Sequence, residues 1–167
     1  MNKIIFLTIL QGCGARKIMI DLSKITKEIF SRKEKENNSK FFSNMVHEIE
    51  YSILLDKEFP NEIFELYEKI FMDSDLMSSR GAYNFMLHLY NDYNKLTINQ
   101  IEKLKEIIVI FSKNMEEETL KYVVLDILLN KMTPQDIFDM KELAKKNRLD
   151  ESSEVIYGIN EMARRYF

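Results

Sequence analysis

The sequence predicts an all-α protein, a right-handed stack of antiparallel helical hairpins (an α-α superhelix) with about seven or eight helices. Three observations carry that expectation. Gly and Pro, which punctuate turns and break helices, number four and two in 167 residues. Apolar residues recur at helical spacing, and no long stretch alternates apolar and polar residues as a half-buried strand does. A turn phrase also occurs twice, 36 residues apart: Leu96-Thr97-Ile98-Asn99-Gln100-Ile101 and Met132-Thr133-Pro134-Gln135-Asp136-Ile137.

The chain divides into an N-terminal segment, 1–20, and a single helical-repeat domain, 21–167. The segment supports several readings. Lys3, the apolar run Ile4–Leu10 and Gly12 have the outline of a secretory signal. Leu10-Gln11-Gly12-Cys13 resembles a lipobox, in which Cys13 would be lipidated and anchor the protein. The run is at the short end for a signal and far too short to span a bilayer. A short strand or helix tucked onto the domain, or a true start at Met19, are the competing readings.

In the domain, Asp21 can cap a helix carrying Leu22, Ile25, Ile29 and Phe30. Residues 32–40 alternate in charge and read as a solvated connector. The first hairpin joins a helix over about 41–56, with Met45, Ile49 and Ile53 on one face, to one carrying Ile63, Leu66, Tyr67 and Ile70. Phe59-Pro60 separates them. The second opens near Arg80 with Ala82, Phe85, Met86, Leu89 and Tyr93, and returns after Thr97 with Ile101, Leu104, Ile108 and Phe111. The third opens near Glu116 with Leu120, Val123, Val124 and Ile127, and returns with Ile137, Met140 and Ala144. A last helix, about 151–166, holds Val155, Ile159 and Met162. Ile107–Phe111 is apolar all round, so its helix is expected to be buried on more than one side, at the centre of the stack.

The repeated phrase has a mechanism. Thr97 as N-cap accepts from the backbone N–H of Gln100, and the Gln100 side chain reaches back to the N–H of Thr97, a capping box. Leu96 and Ile101 sit where a hydrophobic staple forms. Thr133 and Asp136 repeat the box, and Pro134 occupies the first helical position, where its missing N–H costs nothing. Phe59-Pro60-Asn61 occupies the corresponding turn 37 residues before Leu96 and lacks the Thr. Hairpins repeating at this period over about residues 41–150 resemble the HEAT-like α-solenoid class. That resemblance implies a protein-binding scaffold. The chain's size and acidity are also similar to those of small bacterial immunity proteins, which bind and block a cognate toxin.

Net charge is −3, from 24 basic and 27 acidic residues. That balance argues against a nucleic-acid partner, which needs concentrated Lys and Arg. It suits a protein partner with a basic surface, such as a basic toxin domain. One cysteine excludes an internal disulfide and gives no sign of an oxidising compartment. Cytoplasmic location is expected, with membrane attachment only if Cys13 is lipidated.

No catalytic, cofactor or metal site is expected, the alternative being an enzyme, such as a helical hydrolase or nucleotide-binding protein, whose site is assembled from residues far apart in sequence. His47 and His88 lack further ligands at zinc spacing and read as structural. Cys13 has no assignable base. Asp73 and Asp75 lack the ligand set and Gly of a calcium loop, and Glu116 to Glu118 suit a helix N-terminus. Gly12-Cys13-Gly14 lacks the Lys of a phosphate loop. Tyr combines apolar area with a polar tip and is enriched at interfaces. Tyr83 and Tyr90, seven apart on one helix face, are therefore the candidate contacts, with Asp92 and Asp126 beside them. Core filling is the competing role for the tyrosines, and solvation for the carboxylates.

Overall fold

The computed structural model describes residues 4–11, 14–31, 39–54, 56–78, 80–116 and 118–167, with side chains from Asp21 onward except those of Ser39, Arg80, Asp126 and Ile127. From Leu22 the described chain is all-α. The helices are α1 (Leu22–Ser31), α2 (Ser39–Ile53), α3 (Asn61–Met72), the single turn α4 (Ser74–Met77), α5 (Arg80–Asn91), α6 (Ile98–Phe111), α7 (Glu118–Tyr122), α8 (Pro134–Lys146) and α9 (Glu154–Tyr166). Ahead of them, β1 (Ile4–Gln11) and β2 (Gly14–Asp21) pair antiparallel, from Ile4 opposite Asp21 to Gln11 opposite Gly14. β2 lies against α2. Cys13 falls outside the described residues. The hairpin escapes a search for alternation because Ile4–Leu10 is apolar almost throughout, a pattern that does not separate strand from helix.

Asp21 caps α1, accepting from Lys24 N–H at 3.1 Å. Both capping boxes form. At α6, Gln100 N–H donates to Thr97 Oγ1 at 3.3 Å and Thr97 N–H donates to Gln100 Oε1 at 3.0 Å. At α8, the same exchange joins Thr133 and Asp136 at 3.2 and 2.9 Å. Such caps contribute about 1 kcal/mol each. Asp73, considered above for calcium, caps α4 by accepting from the N–H groups of Asp75 and Leu76. Pro60 precedes α3 without any side-chain cap, as the missing Thr implied.

Two rows of helices share one apolar core. α2 packs on α5 and α5 on α7, the opening helices of the three expected hairpins. α3 packs on α6, α6 on α8 and α8 on α9. The buried faces follow helical spacing: Ile63, Phe64, Leu66, Tyr67, Ile70 and Phe71 on α3, and Ala82, Phe85, Met86 and Leu89 on α5. α6 touches α3, α8 and α9, and its Leu104, Ile107, Ile108 and Val109 are buried. Ile110 and Phe111 are half-buried.

Three boundaries differ from expectation. α2 stops at Ile53, short of Asp56. α7 is α-helical for five residues, widens into a π-helical segment, Val123–Leu128, and tightens into a 3₁₀ turn, Leu129–Lys131. α9 starts at Glu154, after a turn entered through Arg148 at φ 51°, a left-handed position that closes α8.

Neighbouring helical segments approach closely at two glycines, α2 with α5 at Gly81 and the π-helical segment with α9 at Gly158. A Cβ on Gly81 would stand 2.6 Å from the buried Phe42 ring, which is itself wedged against Phe41 and Phe85. A Cβ on Gly158 would strike the terminal methyl of half-buried Leu125, the far end of a flexible side chain. Gly81→Ala is therefore expected to cost about 1–3 kcal/mol by overpacking, and Gly158→Ala distinctly less. Urea unfolding of the two variants checks this. Equal losses would contradict the packing described.

Candidate functional site

Of the residues singled out in the sequence, Tyr83 and Tyr90 lie on α5, half-buried against the edge of the core. The Lys131 ammonium stands 4.8 Å over the Tyr90 ring. Asp126 lies in the π-helical segment, and its side chain is outside the described residues. Asp92 follows α5 and points to internal partners. Its Oδ2 meets His88 Nε2 at 3.0 Å, and its Oδ1 meets Lys95 Nζ at 3.1 Å. Asp92 is thus engaged within the chain.

The bond to His88 continues inward. His88 Nδ1 meets the Tyr67 hydroxyl at 2.5 Å, so a carboxylate, an imidazole and a phenol form one chain across α5 and α3. Burial pushes the Tyr67 phenol well above its usual pKa, with Glu50 and Asp92 adding to the effect. Tyr67 therefore donates to Nδ1, and neutral His88 donates Nε2–H to Asp92. Burial lowers the His88 pKa, Glu50 and Asp92 oppose that, and Lys95 adds to the lowering. The order of groups is that of a nucleophile relay. Yet the Tyr67 side chain has no solvent exposure, and its ring packs edge-on against Phe59, Phe71 and Phe85. A substrate atom has no route to that oxygen, so the chain serves to satisfy buried polar groups. Sequence offers half the signal: His88 and Asp92 are one helical turn apart, whereas Tyr67 is 21 residues from His88.

A second polar cluster surrounds Lys105, a lysine only 3% exposed. Its ammonium meets Glu102 at 2.7 Å, Asp139 at 3.0 Å and Asp136 at 3.2 Å. These three carboxylates converge closely enough to hold a metal ion, but the ammonium already lies within bonding distance of each. Burial alone would lower the Lys105 pKa; the hydrogen bonds to Glu102, Asp139 and Asp136 outweigh it and raise the pKa. Burial would raise the Asp136 pKa, and the bonds from Thr133 and Lys105 bring it below the usual range. Asp136 thus both caps α8 and receives the lysine. The stabilisation carried by its lowered pKa is present above the ordinary carboxylate pKa and lost as pH falls.

A surface groove of about 320 Å³ lies between α1 and α3, and a larger one joins the C-terminal elements. The latter measures about 650 Å³ and runs between the π-helical segment and α9, lined by Leu125, Asn130, Glu151, Ser152, Glu154, Tyr157, Gly158, Glu161, Met162 and Arg165. Tyr157 is exposed on its wall, and Tyr122 is exposed on α7. Glu154 pairs with Lys121 at 3.6 Å, and Glu161 pairs with Arg164. Tyr83, Tyr90 and Asp92 do not line this groove; Asp126, whose side chain lies outside the described residues, directly follows Leu125 in sequence. The missed signal was the α9 pattern Glu154, Tyr157, Gly158, Glu161, which falls on one helix face. Among the described residues, no helix is long and apolar enough to cross a membrane.

The His88 arrangement predicts an acid-sensitive fold. With its pKa lowered in the folded state, the unfolded chain binds more protons once pH drops below about 6.5. Stability should therefore fall between pH 7 and 5. His88→Gln removes the titrating group and should flatten that dependence. A denaturation midpoint series across this range is the check; an unchanged slope in the variant would contradict the assignment.

No protein-family model matches this chain, and neither does any curated protein or solved structure.

Proposed function

We propose that the protein is a non-enzymatic, cytoplasmic protein-binding module. Its most concrete form is an immunity-type inhibitor that neutralises a cognate toxin by covering it. The observation that carries this reading is the contrast between a closed interior and an open acidic groove. Among the described residues, no buried side-chain polar atom lacks a hydrogen-bond partner. The one relay-like chain ends at a phenol without solvent access. Lys105 meets three carboxylates. The larger groove offers Glu151, Glu154 and Glu161 beside the exposed Tyr157 ring, residue types with which a helical face can meet a basic partner.

The two rows of packed helices also support a HEAT-like scaffold, in which each hairpin buries its apolar side against the next and leaves an outer face for binding. Occlusion is the mechanism. The groove and the adjoining π-helical segment, to which Asp126 belongs, meet basic residues around the partner's active site. Electrostatic complementarity then gives fast, selective association.

A tagged copy in its native cell is expected to retain one protein partner in stoichiometric amount. The isolated partner should lose its activity when the protein is added back. Purification of the protein alone under all growth conditions, or a partner whose activity is unaffected, would sink this reading.

A further inference from the structure

We propose that the outer face of α5 is the contact surface for a second copy of this chain, packed about a two-fold axis at Leu87. This goes beyond the partner-binding reading, since it concerns a different face and a different occupant.

Composition sets this face apart. Residues 81–91 contain no Asp, Glu, Lys or Arg, in a chain that is 31% charged. The outer faces of α6 and α8, by contrast, carry exposed Glu102, Lys103 and Glu106, and exposed Glu142 and Lys145. α5 packs on α2 and α7 and buries Ala82, Phe85, Met86 and Leu89. Left outward are Tyr83, Asn84, Leu87 and Tyr90, all half-buried, and exposed Asn91. At 3.6 residues per turn, Leu87 falls at the centre of this face, with the two tyrosines along one flank and the two asparagines along the other. Depletion of charge with enrichment of tyrosine is the composition of an interface core. Hydrogen bonding adds a separate observation. Among the described residues, no group of the chain bonds the amides of Asn84 and Asn91 or the hydroxyls of Tyr83 and Tyr90. Lys131, over the Tyr90 ring, borders the face.

Spacing identifies the occupant. Asn84 and Asn91 are seven residues, ~10 Å, apart on their flank, as are Tyr83 and Tyr90 on theirs, and Leu87 lies midway. A half-turn about an axis lying in this face, across α5 at Leu87, lays a second α5 antiparallel over the first. Leu87 then meets Leu87 of the second copy, Asn84 meets its Asn91, and Tyr83 meets its Tyr90. A carboxamide holds both donors and an acceptor, so each asparagine pair is self-complementary. Tyrosine rings at such a contact pack edge-on or offset. A patch that matches itself in this way is what a closed two-fold dimer requires. Neutrality matters too: each copy carries a net charge of −3, and a strongly charged face would repel its own image.

Sedimentation equilibrium of the full chain, over a hundredfold concentration range, tests this. The mass should rise from 20.0 kDa towards twice that value. Backbone amide shifts on dilution should centre on α5. Leu87→Arg sets like charges together at the axis and should weaken the dimer tenfold or more, as should Leu87→Glu. Mixing the two variants should restore association, because each new cation then meets a new carboxylate. Tyr157→Ala on α9 should change nothing. If the Leu87 variants do not fold, Asn84→Asp with Asn91→Asp carries the test, with the same expected loss. A monomer at every concentration, or a dimer that these variants leave intact, overturns the proposal. Dilution shifts that map to another face overturn it too, as does a different protein seated on α5 of a monomeric chain. None of these outcomes bears on the partner-binding reading of the α9 groove, which fails if no native partner is captured.

Discussion

The Gln100 carboxamide joins two consecutive turns of the structure. Its oxygen closes the capping box of α6, and its nitrogen donates to the Phe59 carbonyl at 2.8 Å and to Asn61 Oδ1 at 2.9 Å. The side chain is buried, and so is its bond to the Phe59 carbonyl, which therefore depends on it for a partner. Leaving a buried donor or acceptor unpaired costs about 1–3 kcal/mol. The Phe59 turn has no cap of its own, and Gln100 secures it from the next hairpin. Phe59 N–H also donates to the Lys95 carbonyl at 2.8 Å, and Lys95 Nζ reaches the Ile53 carbonyl. Downstream the logic repeats with charge. Lys105 of α6 bonds Asp136, which is itself the capping residue of α8. α6 is therefore fixed to the turn before it and the turn after it, and the second row of helices takes its register from that helix.

Polar groups that register the helices are unavailable for chemistry. Asp92, His88 and Tyr67 satisfy one another between α5 and α3, and Lys105 is held by three carboxylates. The solvated polar side chains are left to the outer surface, including the groove between α9 and the π-helical segment. That division explains why a search for catalytic spacing finds fragments that resemble sites. His88 with Asp92, and Glu102 with Asp136 and Asp139, are grouped as an active site or metal centre would be. His88 and Asp92 are paired with each other and with Tyr67, and the three carboxylates are paired with the buried Lys105 ammonium.

Much of the helical architecture is legible in the sequence because it rests on local rules. Thr97 and Gln100, and Thr133 and Asp136, are close in sequence, so their capping boxes can be read directly. The apolar run at Ile107 places α6 between neighbours. What resists reading is nonlocal. The reach of Gln100 to Phe59 spans 41 residues, and that of Lys105 to Asp136 spans 31. Nothing in Val123–Leu128 announces a π-helical widening, and the groove follows from it. Tyr83 and Tyr90 share a face of α5, but packing half-buries them and leaves Tyr157 in the open.

Native-state hydrogen exchange on Gln100→Met tests this account most directly, because methionine keeps the length of the side chain and removes its hydrogen bonds. The expected result is a linked loss of protection, about 1–3 kcal/mol, in the first turn of α6 and also in the 59–64 region at the start of α3, with α8 unchanged. Fraying confined to α6, with the Phe59 turn as protected as before, would contradict the claim that one side chain holds successive turns together.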